Sequence, residues 1–158
     1  MRPATLLTRR ALLGTALAGL ALARPTFAQT AAPAREGQAL MDARLRCRFA
    51  DQDFAYRLLD NATTRDLLSM LPLDLTIADF STNEKIAHLP RRLDEGGHVA
   101  FDDEAPGDLC YFLGWGNLAF FHDAYRYRGD LIRLGRIEGG VGPLLTRGEF
   151  PLRLELAG

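Results

Sequence analysis

From about residue 41 onward the chain alternates between apolar and polar positions, and the alternation comes in short blocks. Leu45, Cys47 and Phe49 alternate with Arg44, Arg46 and Arg48, the period-two pattern of a strand with one buried face. Asp51-Gln52-Asp53 reads as a turn, and Phe54, Tyr56 and Leu58 supply the apolar face of a second strand, so the two predict a hairpin. Thr63-Thr64-Arg65-Asp66 has the form of a capping box; Leu67, Leu68, Met70 and Leu71 follow and Pro72 closes the run. That spacing predicts a helix of about ten residues with one buried side. Leu73, Leu75 and Ile77 then alternate with Asp74, Thr76 and Ala78 as a further strand.

Residues 81–97 are mixed and polar and read as irregular, with room for one helical turn, and Asp102-Asp103-Glu104 reads as a solvated acidic loop. Residues 109–113 and 118–122 are apolar runs of strand length, joined by turn chemistry at Gly114-Trp115-Gly116-Asn117. Residues 131–137, residues 141–145, and the alternation of Phe150, Leu152, Leu154 and Leu156 complete the set. Gly135 and Gly139-Gly140-Val141-Gly142 lack the strand-to-helix context of a phosphate loop and read as turns or barrel corners. The pattern predicts a mainly β domain: a closed antiparallel β-barrel of about eight strands with one or two short helices. Closure is favoured over a sandwich because it leaves no strand edge unpaired.

The first residues have a different texture. Arg9-Arg10 run into an uncharged Ala/Leu/Gly-rich stretch over residues 11–23, shorter than the roughly 20 apolar residues a membrane span needs. Arg24-Pro25 closes it, and Thr26-Phe27-Ala28 offers the small residues of a cleavage site. Residues 1–28 therefore read as an export signal of the twin-arginine type, cut near Ala28; an ordinary export signal with a chance arginine pair gives the same destination. Residues 29–40 read as a flexible leader and 41–158 as one domain, placed in the periplasm or secreted.

Charge narrows the partners. Without residues 1–28, the 19 basic residues fall to 15 against 20 acidic ones, a net charge of −5. That balance argues against a nucleic-acid partner, whose binding relies on a clustered basic surface. No second apolar run reaches membrane-spanning length. The two cysteines, Cys47 and Cys110, allow one disulfide in an oxidising compartment, or two separate buried thiols. Their spacing suggests neither redox catalysis nor a zinc site.

Three stretches have an order and spacing that carry a resemblance. They are Leu59-Asp60-Asn61 with the run to Leu71-Pro72-Leu73, Asn83-Glu84-Lys85-Ile86 with Leu89-Pro90, and Gly107-Asp108-Leu109-Cys110-Tyr111 with residues 115–121. Leu134-Gly135-Arg136-Ile137 continues the pattern. Over residues 43–156 the chain resembles the small bacterial cyclophilin-like domain proteins. The resemblance implies an antiparallel barrel of about eight strands with helices closing its ends. Prolyl isomerases of that superfamily resemble one another in a Phe-His-Arg segment and a Phe-Met-x-Gln-Gly-Gly segment. Here Phe121-His122-Asp123 carries Asp in place of that Arg, and Gly96-Gly97 and Gly139-Gly140 lack the preceding Phe-Met-x-Gln; Arg126 and Arg128 lie nearby in sequence.

Tyr111, Trp115, Asn117, Phe121 and His122 are the candidate ligand-binding residues, because Trp and Tyr join large apolar area to a hydrogen-bonding tip. Their expected place is a barrel mouth, where ligand clefts commonly open. The competing reading makes Tyr111 and Phe121 core residues and the Trp115 segment a plain turn. The Tyr125-Arg126-Tyr127-Arg128 run reads as a solvated loop. His88, His98 and His122 with Glu84, Glu95, Asp102 and Asp103 match no metal-ligand spacing, so no metal, cofactor or catalytic residue is assigned. The expected function is a non-catalytic module that binds a peptide or small molecule. Prolyl cis/trans isomerisation of extracytoplasmic proteins is the alternative, and an accessory role to an exported protein is a third.

Overall fold

The computed structural model of the protein describes residues 38–157. The expected signal with Arg9 and Arg10, and residues 29–37 of the expected leader, lie outside the described residues. Eight antiparallel strands close into one barrel in the order β1-β2-β7-β5-β6-β4-β3-β8. They are β1 (Leu40–Phe49), β2 (Gln52–Leu59), β3 (Leu73–Phe80), β4 (Glu84–His88), β5 (Asp108–Phe112), β6 (Asn117–Phe121), β7 (Leu131–Ile137) and β8 (Glu149–Ala157). Helix α1 (Ala62–Ser69) packs Leu67 into the interior. β8 makes the closure: Leu154 lies opposite both Cys47 of β1 and Leu73 of β3. No helix among the described residues is long and apolar enough to cross a membrane.

The alternation read from β1 and β2 is the barrel's inner wall. Leu45, Cys47 and Phe49 face inward beside Phe54, Tyr56 and Leu58, and all six belong to one core cluster. The interior is therefore filled by side chains, as expected for a barrel of this size. Burying each of the larger ones contributes roughly 1.5–3 kcal/mol.

The observed elements differ from the sequence reading at several places, each for a local reason. The helix is capped two residues earlier than the capping-box pattern suggests. Asn61, not Thr63, is the N-cap; its Oδ1 accepts from the Thr64 amide at 2.9 Å, while its Nδ2 donates to the Arg133 carbonyl at 3.1 Å. Asp66, the supposed capping acceptor, instead takes two hydrogen bonds from Arg91 at 2.7 and 2.8 Å and one from the Asp94 amide at 2.7 Å. Residues 84–88, read as irregular, form β4. The pattern is hidden because its buried positions are Lys85 and Ala87. Lys85 is fully buried at one barrel end, 2.7 Å from Asp79 and over the rings of Phe49 and Phe150 at 5.6 and 6.0 Å.

Residues 141–145, read as a strand, instead hold a single 3-10 turn (Gly142–Leu145) whose Leu144 is buried. Gly135 is in no turn but sits mid-strand in β7 opposite Leu58, beside a register shift in the β5–β7 pairing, where a Cβ would lie 2.3 Å from the Arg57 carbonyl oxygen. The acidic loop is not simply solvated: Asp103 pairs with Arg133 at 2.8 Å, and Glu104 accepts from the Tyr127 amide at 2.8 Å.

β5 and β6 are buried on both faces. Leu109, Tyr111, Leu118 and Phe120 face the interior. Cys110, Ala119 and Phe121 face outward into a second cluster with Phe101 and Leu131. These two strands therefore appear in the sequence as continuous apolar runs.

Candidate functional site

The outer face of β3, β4, β6 and β5 carries a cleft of about 700 Å³. Register places its floor. Glu84 of β4 lies opposite Phe121 of β6, Ile86 opposite Ala119, and Phe80 of β3 opposite Glu84. Ala119 is the smallest floor residue, and the taller side chains around it leave the depression.

One rim is aromatic. Trp115, 58 % exposed in the turn between β5 and β6, lies edge-on to Phe80 at 5.4 Å and to Phe112 at 5.6 Å, with both interplanar angles 88°. It thus spans from β3 to β5 across the two strands between them. Edge-to-face pairs of this kind contribute about 0.5–1.5 kcal/mol each beyond area burial. The turn can place the indole there because Gly116 takes a φ of +70° and its amide donates to the Phe112 carbonyl at 2.9 Å. Arg92 ties the same turn down, donating to the Leu113 carbonyl at 2.6 Å.

The opposite rim is the segment leaving β6. Tyr125 stacks on Phe121 with ring centroids 3.7 Å apart and planes within 7°. Its hydroxyl donates to Asp108 at 2.7 Å, and Asp108, fully buried, also accepts from Arg136 at 2.7 Å and from the Ala105 amide at 3.1 Å. Burial first, and then the neighbouring Cys110 and Asp108, push the Tyr125 phenol far up, so it stays a hydrogen-bond donor. Asn83 fixes the backbone of this segment by donating to the Ala124 carbonyl at 3.0 Å and accepting, through its own carbonyl, from the His122 amide at 2.9 Å. Arg126 and Arg128 line the cleft from this side.

Glu84 is the distinctive polar group. Burial alone pushes its carboxyl up from an ordinary value of 4.5 to about 7. Asn117, on the same wall, donates through Nδ2 to the Leu118 carbonyl at 3.1 Å, and its Oδ1 is buried without a partner. The cleft thus joins an apolar floor and an exposed indole to a few convergent polar groups, the usual make-up of a ligand site.

Of the five residues expected from sequence, Trp115, Asn117 and Phe121 line this cleft. Tyr111 does not: it points into the barrel interior, where its hydroxyl accepts from the Leu93 amide at 3.2 Å. His122 is not a lining residue either. Its Nε2 is buried and unpartnered, and burial, with Arg147 and Lys85 nearby, holds its imidazole below the ordinary histidine range. The cleft opens on the barrel's outer wall rather than at a mouth, and the interior is filled by side chains. Phe80, Glu84, Ile86, Ala119 and Tyr125 escaped the sequence reading. The Tyr125-Arg126-Tyr127-Arg128 run is a loop with both arginines exposed, as read, but its tyrosines are half-buried: Tyr125, Arg126 and Arg128 line the cleft, and Tyr127 packs on Phe101 with centroids 4.4 Å apart.

Cys47 and Cys110 are free, buried thiols and form no disulfide with one another. Cys47 belongs to the interior cluster and Cys110 to the outer one, so the barrel wall separates their environments. Burial pushes both thiols well above the ordinary range, so neither is a poised nucleophile. Among the described residues no group of three His, Cys, Asp or Glu side chains is placed to hold a metal ion. Glu84 and His88 lie on one face of a strand, not of a helix.

The chain is similar in fold to a hypothetical protein of Archaeoglobus fulgidus whose structure was solved in solution. The match has a TM-score of 0.61 and 18 % sequence identity and covers 77 % of this chain and 99 % of that one. No curated protein matches the sequence. The sequence profile of the Cyclophilin-like family matches residues 47–155, a span that runs from the inward-facing Cys47 near the end of β1 to Glu155 of β8 and takes in β2 to β7 and the whole outer-wall cleft. The chain belongs to the Cyclophilin-like family.

Proposed function

We propose that this protein is an exported binding module whose outer-wall cleft holds a peptide or small molecule without transforming it. The observation that carries the reading is the rim itself. A solvent-exposed tryptophan, held by two phenylalanines from different strands, stands over an apolar floor. A few residues carry most of the binding energy of an interface, and tryptophan is prominent among them. Export rests on the Arg9-Arg10 pair, the short apolar stretch after it and the small residues up to Ala28.

A catalytic reading has one observation in its favour. Arg126 and Arg128 line the cleft, and a guanidinium is the group that would polarise an X-Pro amide, whose rotation has a barrier of roughly 18–20 kcal/mol. The Phe121-His122-Asp123 segment supplies no such group from the strand itself.

One experiment separates the two. The purified domain is used to capture ligands from an extracytoplasmic extract, with Trp115→Ala as control, and is assayed in parallel for isomerisation of an X-Pro peptide. Binding lost in the variant, without rate acceleration, supports the module. Acceleration abolished by Arg126→Ala or Arg128→Ala supports the isomerase.

A further inference from the structure

Resting on the reading that the outer-wall cleft is a ligand site, we propose that its ligand presents an organic ammonium group. That group would be received between the Glu84 carboxylate and the aromatic rim of Trp115 and Phe80.

Three observations carry this. First, Glu84 has no cationic partner among the described residues, whereas the other buried or half-buried strand carboxylates have one: Asp79 pairs with Lys85 and Asp108 with Arg136. An ionised carboxylate held partly out of water without a partner is costly, and a ligand cation supplies what is missing. Second, Phe80 is the register neighbour of Glu84 on the same outer face, and its ring packs against Trp115 at 5.4 Å. Phe80 thus stands between the carboxylate, which lies by register beside Phe121, and the indole, and an aromatic face near an anion is the chemistry that recognises ammonium groups. Third, the cleft's two arginines do not reverse its sign. Glu84, Glu104 and Asp130 line it together with Arg126 and Arg128, leaving one negative charge in excess once Glu84 is ionised. Arg126 helps lower the Glu104 carboxyl, and neither arginine forms an ion pair with Glu84.

Register sets Phe80 on β3 and Phe121 on β6 against Glu84; the titratable neighbours are Cys110 on β5 and Tyr125, which lines the same cleft. Both titratable members of that set, Cys110 and Tyr125, have their proton loss pushed well above the ordinary range. Binding of the cation therefore weakens as Glu84 takes up its proton.

The test uses the fluorescence of the chain's single tryptophan, Trp115, in the wild-type protein. Three probes are titrated: a blocked peptide with a central lysine, the same peptide with norleucine, and butylammonium chloride. The lysine peptide is expected to bind about tenfold more tightly than the norleucine peptide at about pH 8, and the preference is expected to vanish at about pH 5.5 and in Glu84→Gln. Saturation by butylammonium as well assigns the site to free amines; saturation by the lysine peptide alone assigns it to a lysine side chain. Equal or tighter binding of the norleucine peptide, unaffected by Glu84→Gln, overturns the ammonium proposal and leaves the cleft as a binding site. Failure of all three probes overturns both. The comparison of lysine and norleucine peptides needs no variant, so it stands even if Glu84→Gln folds poorly.

Discussion

Phe121 and Tyr125 stack nearly face to face, 3.7 Å between centroids, and the stack is anchored from behind by the hydrogen bond from Tyr125 to the buried Asp108. This relationship turns the end of a barrel strand into the wall of a cleft. Together with Asn83 and the Glu104–Tyr127 hydrogen bond, it holds the segment carrying Arg126 and Arg128 against the barrel. Tyr125→Phe keeps the stack and removes the hydroxyl, so it is expected to cost about 1 kcal/mol of stability and to leave ligand binding intact. Tyr125→Leu removes both and is expected to weaken binding more than it lowers stability. Chemical denaturation and binding titrations on the two variants check this.

The buried pair at the barrel end makes a sharper stability prediction. Lys85 is fully buried against Asp79. Asp79→Ala leaves an ammonium in the core without its carboxylate and is expected to cost about 3 kcal/mol. Lys85→Met leaves the half-buried Asp79 with only Arg147 and the Gly148 amide and is expected to cost about 1–3 kcal/mol, whereas the double variant, in an environment already built from Phe49 and Phe150, is expected to recover most of the loss. Burial alone would raise the Asp79 carboxyl, but hydrogen bonds from Lys85 and the Gly148 amide outweigh it and hold the group below the ordinary range. The pair's contribution is therefore present above the ordinary aspartate value and lost as pH falls through the lower folded-state value. A thermodynamic cycle measured by denaturant unfolding checks the additivity.

Glu84 gives the opposite pH sign. Its folded-state value of about 7 lies above the ordinary 4.5, so the native state holds the proton more tightly than the unfolded chain does. Stability falls as pH rises between those two values, and the full cost is reached above about 7. Glu84→Gln is expected to be neutral in acid and stabilising by about 1 kcal/mol at about pH 8, since solvent reaching the carboxylate reduces the cost. Melting temperatures of both proteins across that range test the sign directly. A residue that costs stability where a ligand would bind is the usual mark of a functional position.

Gly135 tests the closure of the barrel. Its place opposite Leu58 allows an approach of the β2 backbone that a Cβ would block. Gly135→Ala is expected to cost roughly 2–4 kcal/mol by forcing β2 and β7 apart. Amide exchange should quicken first along residues 56–58.

How much of this was legible beforehand depends on which face of the wall a residue serves. β1, β2 and β8 have one wet face, so Leu45, Tyr56 and Leu154 alternate with charged neighbours and announce themselves. The cleft strands do not. β6 is buried on both sides, so nothing in its sequence says that Phe121 faces outward while Phe120 faces in. β4 inverts the usual code by burying its lysine and leaving Ile86 on the outer face. That inversion hid Glu84, although the Asn83-Glu84-Lys85-Ile86 motif had been visible as part of the resemblance. Trp115 was legible because an indole flanked by glycines in a turn has few uses other than exposure. Tyr125 was not, because its partner Asp108 precedes it by a whole hairpin and only the closed sheet brings them together.

The claim on which the account rests is that ligand is held on the outer wall of the barrel. Backbone amide shifts, recorded on the labelled domain as a captured ligand is added, test it most directly. The account predicts changes confined to residues 80–86, 112–121 and 124–130, lost in Trp115→Ala. Changes centred instead on α1 and the 142–145 turn, with the Trp115 segment silent, would place the ligand at a barrel end and contradict it.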